Sequence, residues 1–205
     1  MKINFKGKKV LVYGMGISGQ AACRLLHNQG ACVSIYDDEE RFVNIFNYEK
    51  NPLLKKYDVI VVSPGVKLLG NQLITHFIMN RTLIISELDL GFMFCRGKVI
   101  GITGTNGKTT VTSLTGEIFK KAGKKTFVCG NIGLPICSIA EKTDKNSFII
   151  CEVSNFQLEG SKYFNADEVC ILNLAPDHID RHGTFEEYVR VKSKIISNKG
   201  SQKVV

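Results

Sequence analysis

Gly104, Thr105, Asn106, Gly107, Lys108, Thr109 and Thr110 follow one another in an order suited to gripping a polyphosphate. In such a turn, successive backbone N–H groups and the opening of a helix supply positive potential. Lys108 would reach the β- and γ-phosphates of a bound nucleotide, and the Thr109 hydroxyl would sit on Mg²⁺. The general motif carries a further glycine where this chain has Ile102, and Gly101 falls one residue early. An ordinary strand–turn–helix with a lysine at its start is the alternative. The density of Gly, Lys and paired Thr directly after an apolar run favours the phosphate turn.

Three other places hold residue types that could do chemistry. Gly14-Met15-Gly16-Ile17-Ser18-Gly19 has the G-x-G-x-x-G spacing, and Asp37 and Asp38 follow about 20 positions on, as in dinucleotide sites. NAD binding is the sharp reading. A broader one places any nucleoside diphosphate on the turn, with Asp37 or Asp38 against a ribose or base. A third has the glycines serving close packing alone. Glu152 ends an otherwise apolar run, where a carboxylate is costly unless paired or bound to metal. A charge emerging at an exposed strand end is the alternative. The segment Ala175-Pro176-Asp177-His178-Ile179-Asp180-Arg181-His182 is dense in polar groups, though a surface loop would explain it equally. Lys192 falls inside an apolar helical arc; it is either a snorkelling side chain or a desolvated amine of lowered pKa, open to CO₂ addition.

These residues need elements to position them, and the chain alternates strand with helix throughout. Residues 9–13, 31–36, 57–62 and 82–86 read as strands, with helices predicted over 20–29, 41–50 and 71–80 and a short piece at 88–94. Ser63-Pro64-Gly65-Val66 makes a turn at a strand's carboxyl end, where ligands of open α/β sheets collect. A boundary near residue 95 separates a first domain, 1–95, from a second, 96–205. The second opens on the 99–103 strand, continues as a helix over 109–122, and adds strands at 126–129, 147–153 and 169–174. Thr184 with Glu187 forms a capping box for a last helix. Its apolar arc takes Phe185, Tyr188, Val189, Ile195 and Ile196. Lys203-Val204-Val205 resembles the start of another strand, so the sequence is expected to be the N-terminal part of something longer.

Composition narrows the class. Among 205 residues, 44% are hydrophobic and only 4 are Pro, as in ordinary globular domains. No apolar run is long enough to span a membrane, and the N-terminus lacks a signal-peptide pattern, so a cytoplasmic monomer without membrane insertion is expected. The 7 cysteines are scattered without a Cys-x-x-Cys pair and read as buried free thiols. The net charge of +8 comes from dispersed lysines with no aromatic-interleaved basic stripe, which argues against nucleic acid.

Together these segments resemble the Mur ligases. The likeness rests on the two glycine-rich turns, Ser63-Pro64-Gly65-Val66, Gly130-Asn131-Ile132-Gly133, Glu152-Val153-Ser154-Asn155-Phe156-Gln157-Leu158-Glu159, the stretch from Asn173 to Arg181, and Tyr188 with Lys192. Ile102 matches the family's own variant of the phosphate turn, while Asn155 stands where the family often has Ser. The resemblance implies an α/β fold: a Rossmann-like N-terminal domain, then part of a P-loop central domain with a mostly parallel sheet, the C-terminal domain being absent. It implies an ATP-dependent ligase acting through an acyl phosphate on UDP-N-acetylmuramoyl-L-alanine and D-glutamate. Residues 104–110 would hold ATP, with Lys108 catalytic. Thr109 and Glu152 would ligate one Mg²⁺, and His178 and a carbamylated Lys192 would serve a second. Ile17, Ser18, Asp37, Asp38 and Gly65 would hold the uridine diphosphate, and Asn131 and His178 the rest of the nucleotide sugar. A non-catalytic remnant of such a ligase and a nicotinamide-dependent oxidoreductase stand as alternatives.

Overall fold

The computed structural model describes residues 3–39, 46–196 and 203–204. Five strands make the first sheet: β1 (Lys9–Tyr13), β2 (Cys32–Tyr36), β3 (Asn47–Tyr48), β4 (Val59–Val62) and β5 (Leu83–Ser86). They lie in the order β3-β2-β1-β4-β5, every neighbouring pair parallel. Parallel sheets are covered on both faces, so their strands read as continuous apolar runs. All four residues of β4 are buried, as that rule requires. Val10, Val12, Val59 and Val61 face one way, onto Ala22, Leu25 and Leu26 of helix α1 (Ile17–Asn28). Leu11, Tyr13, Ile60 and Val62 face the other, onto Ile74 and Phe77 of α2 (Gln72–Met79).

The second sheet is built the same way. Its strands are β6 (Lys98–Thr103), β7 (Thr126–Gly130), β8 (Phe148–Glu152), β9 (Glu168–Ile171) and β10 (Lys203–Val204), in the order β10-β9-β6-β8-β7, again all parallel. Between them run α4 (Lys108–Lys121), α5 (Ile136–Ile139), α6 (Asn155–Glu159), α7 (Ile179–His182) and α8 (Phe185–Ser193). The strand at 203–204 is the one expected from the chain's last residues.

Helix α3 (Glu87–Phe94) joins the two sheets. Its Leu90 lies in the core of the first and its Leu88 in the core of the second. Gly91 lets α5 approach, because a Cβ there would stand 2.5 Å from Ile136 Cγ2. Two buried carboxylates hold this junction. Asp89 accepts hydrogen bonds from Ser161 Oγ (2.7 Å) and from the amides of Lys162, Tyr163 and Phe164, and it completes a capping box with Ser86. Glu87 Oε1 accepts from the Cys137 amide at 3.0 Å, while its Oε2 is buried without a partner.

Several sequence expectations need correction. Of the helix predicted over 41–50, residues 41–45 lie outside the described residues, and Asn47–Tyr48 pairs with β2 as a strand. Helix α1 starts at Ile17, earlier than expected, so the third glycine of the turn, Gly19, sits in its first turn. Helix α8 stops at Ser193, and the tight turns after it change the phase of the apolar arc. Ile196 is therefore exposed, and within the helix Val191 joins Tyr188 in the core. Its capping box is half formed: Thr184 accepts from the Glu187 amide, but the Glu187 carboxylate turns to Arg190. All seven cysteines are free, though Cys32 is exposed.

Burial raises the Glu87 pKa from 4.5 to about 7. The folded chain thus keeps a proton that the unfolded chain releases, and stability falls as pH rises from 4.5 through 7. In urea denaturation, the wild type should lose about 3 kcal/mol across that window relative to Glu87→Gln. Parallel stability profiles for the two proteins would contradict this.

Candidate functional site

Because every strand in each sheet points the same way, the turns that carry the candidate residues gather at carboxyl ends. Strand β6 leads into Gly104, and the chain re-enters helix at Lys108 after Gly107, whose φ of 80° favours glycine. The turn is pinned from outside. Asn173 O accepts from the Thr105 amide (3.0 Å), and the Asn173 side chain both accepts from the Asn106 amide (2.9 Å) and donates to Asn106 O (3.0 Å). The Thr105 hydroxyl donates to Ala175 O and accepts from the Ala175 amide, so the Tyr188 hydroxyl at 2.8 Å is its second donor. Lys108 folds over the turn, donating to Gly104 O (2.9 Å) and Thr105 O (2.8 Å). No side chain caps α4, and Thr109 and Thr110 are exposed.

Lys192 is only 2% exposed, which removes the snorkelling alternative. Its Nζ donates to the same Gly104 carbonyl at 3.0 Å and lies 4.9 Å over the Tyr188 ring. Desolvation, and then the nearby Lys108, lower its pKa to about 8. About a tenth of the amine is then neutral at pH 7.

The carboxylate next to this turn is fully buried, which removes the alternative of a charge at an exposed strand end. Ile102 of β6 and Gly130 of β7 both pair with Glu152, so three strand ends stand in register. Gly130 has a φ of 104°, and a Cβ on it would sit 2.1 Å from Glu152 O. Glu152 Oε1 accepts from Asn131 Nδ2 at 2.8 Å, and the Asn131 amide donates to Glu152 O at 2.9 Å. Glu152 Oε2 is buried with no hydrogen-bond partner. A desolvated carboxylate oxygen left bare is expensive, and a cation is the partner that would relieve it. Among the described residues, no group of three or more His, Cys, Asp or Glu is placed to hold a metal.

A cavity of about 500 Å³ reaches from the carboxyl end of the first sheet to that of the second. Ile17, Ser18, Asp37, Asp38, Gly65 and Asn131 all line it. The three glycines of the first turn differ in role. A Cβ on Gly14 would meet Val66 Cγ2 at 2.8 Å, and one on Gly19 would meet Gly14 O at 1.9 Å. Gly16 has nothing within 4 Å and lines the cavity, as the uncapped N-cap of α1. Asp37 is occupied in shaping the turn: its Oδ2 accepts from the Met15 amide at 2.7 Å. Asp38 accepts from the Tyr13 hydroxyl at 2.7 Å, which in turn accepts from Asn71.

His178 is exposed, with a left-handed φ of 51°, and its ring packs 4.7 Å from Phe156. Arg181 lies over Phe156 at 4.3 Å, pairs with Glu159 at 2.7 Å, and donates to Val66 O at 3.3 Å. That last bond ties the polar loop to the Ser63–Val66 turn of the first sheet. Sequence reasoning placed Arg181 in the polar loop without giving it a role, and passed over Glu87 and Asp89. The two acids stand in an apolar octapeptide, and Ser86 with Asp89 has capping-box spacing, a usable signal.

Fold and site together define a parallel α/β chain with a glycine-rich strand-to-helix turn beside a buried carboxylate and a buried lysine. A family model for the Mur ligase middle domain matches residues 102–205, and the chain belongs to the Mur ligase family. It is 40% identical over 210 residues to the UDP-N-acetylmuramoylalanine–D-glutamate ligase of a Thermoanaerobacter species, covering 96% of this chain and 46% of that protein. The same-named ligase of Caldanaerobacter subterraneus is 39% identical, over 99% of this chain and 48% of that protein. The chain thus spans about half the length of these relatives. Its fold resembles a solved structure from Neisseria meningitides, UDP-N-acetylmuramate:L-alanyl-gamma-D-glutamyl-meso-diaminopimelate ligase. That likeness has a TM-score of 0.59 at 16% identity, covering 93% of this chain and 68% of that one.

The glycine roles predict a contrast in thermal or urea melts. Gly19→Ala should cost about 2–3 kcal/mol through its backbone clash. Gly16→Ala should cost less than about 1 kcal/mol. Equal losses would show that Gly16 too is held by packing.

Proposed function

We propose that the chain is the nucleotide-binding portion of a cytoplasmic, ATP-dependent ligase of peptidoglycan synthesis that joins D-glutamate to UDP-N-acetylmuramoyl-L-alanine. One observation carries this: the cavity shared by the two sheets is lined by Ile17, Ser18, Asp37, Asp38, Gly65 and Asn131, and Asn131 is hydrogen-bonded to Glu152. Residues 1–95 act as a Rossmann-like domain. The free amides of Ile17 and Ser18, at the start of α1 above the open face of Gly16, suit a diphosphate. Asp37 serves indirectly, by holding the Met15 amide and hence the turn's shape. Residues 96–205 form part of a P-loop domain, in which the uncapped amides at the start of α4, after Gly107, cradle the ATP phosphates while Asn173 holds those of Thr105 and Asn106.

In this reaction the substrate carboxylate attacks the γ-phosphorus of ATP, and ADP leaves. The D-glutamate amine then attacks the acyl phosphate and expels inorganic phosphate as the amide forms. Such transfer needs positioning and charge neutralisation more than covalent help from the protein. Lys108 releases the carbonyls of Gly104 and Thr105 to meet the β- and γ-phosphates. Thr109 and the bare Glu152 oxygen suit one Mg²⁺. His178 and Lys192 suit a second, Lys192 as a carbamate made possible by its lowered pKa. Bound Mg²⁺ would neutralise the charge gathered on the phosphates.

The test is phosphate release by a full-length protein carrying this chain. Release should require ATP, Mg²⁺, UDP-N-acetylmuramoyl-L-alanine and D-glutamate together. Lys192→Ala should lower kcat by about a hundredfold or more, leaving affinity for the nucleotide sugar unchanged. Wild-type turnover in that variant would refute the carbamate role, and release without D-glutamate would refute the ligase assignment.

A further inference from the structure

A second cavity, of about 350 Å³, lies between β4, β5 and α2 on one side and α6 to α8 on the other. None of the residues assigned above to nucleotide, sugar or metal binding lines it; Arg181, which ties the polar loop to Val66, does. Its volume is within the range of small-molecule sites. The floor is hydrocarbon: Leu68, Ile74, Ile84 and Val191 line it, with Leu69 and Ile78 at the mouth. Leu69 and Ile78 are 78% and 60% exposed, an unusual cost for large apolar side chains grouped at one opening.

The facing wall is charged and unbalanced. Glu159 is committed to Arg181 at 2.7 Å, and Glu187 to Arg190 by two bonds of 2.6 Å. Lys162 and Lys194 remain, a net charge of +2 over the two acids and four cations of the lining with His182 neutral. Lys194 Nζ finds a carbonyl, Glu159 O at 2.7 Å, where a carboxylate would serve better. Partial burial of the ammonium, and Arg190 beside it, lower its pKa. Hydrocarbon on one side and excess cation on the other specify a ligand that is apolar at one end and anionic at the other.

We propose that this cavity binds a single-chain anionic amphiphile, its hydrocarbon tail against Leu68, Ile74 and Ile84 and its carboxylate or phosphate head at Lys194. The site stands independently of the ligase assignment, since no residue of that reaction contributes to it.

Isothermal titration of the 205-residue chain tests it, with decanoate, decyl phosphate, 1-decanol and decyltrimethylammonium as probes. Decanoate and decyl phosphate should saturate at one site. Octanoate should bind about tenfold more weakly, the loss expected for two methylenes. Lys194→Gln, a surface change, should weaken both anions about tenfold and leave 1-decanol unaffected; Ile78→Glu should abolish binding of all three. Equal binding of decyltrimethylammonium, absence of saturation, or anion binding untouched by both variants would overturn the proposal.

Discussion

The register of three strand ends governs this site. Glu152 pairs with Ile102 on one side and Gly130 on the other, so the glycine-rich turn, the carboxylate and Asn131 leave the sheet at one level. A slip by one residue in any parallel pair would turn Glu152 to the opposite face. Gly130 makes the alignment possible, because any side chain there would strike the Glu152 carbonyl. What results is a buried carboxylate with one oxygen held by Asn131 and the other bare. Such an arrangement costs stability in the empty chain and suits a site that a cation completes.

The lysines extend the same logic. Lys108 and Lys192 share the Gly104 carbonyl, and the Lys108 charge adds to the burial that lowers the Lys192 pKa. The chain thus holds two cations over a turn whose outward amides face solvent. Anionic phosphate oxygens would satisfy Lys108, and conversion of Lys192 to a carbamate would remove the second positive charge. Tyr188 and Asn173 keep the turn in shape from the far side, so that its geometry does not depend on an occupant. Preorganisation of this kind is what electrostatic catalysis requires.

Much of this was legible in the residues. The strand–turn–helix around Gly104 and Lys108 follows from spacing and an apolar run, and the cavity residues from Ile17 to Asn131 came from the family resemblance. For Glu152 and Lys192 the pattern left burial as one of two readings, which the structure decides. Less legible was how the parts are held. Glu87 binds an amide distant in sequence and Arg181 crosses to Val66 O, so nothing within a local window announces them. The capping-box spacing of Ser86 and Asp89 announces the helix start but not the amides of 162–164 that Asp89 also holds. The end of α8 was misjudged because tight turns after Ser193 shift the helical phase, which no propensity records. Nor did spacing separate the packing glycines, 14 and 19, from Gly16, since that distinction rests on Val66 and Ser63 brought against Gly14 and on the folded path of the turn, which sets Gly14 O against Gly19.

The account turns on what occupies the cavity between the two sheets. Titrating the 205-residue chain with UDP-N-acetylmuramoyl-L-alanine and, separately, with NADH, while following backbone amide shifts by NMR, tests it most directly. The expected result is saturable binding of the nucleotide sugar alone, with the largest shifts at Ile17, Ser18, Gly65 and Asn131. Saturable NADH binding at those amides, with no response to the nucleotide sugar, would contradict it.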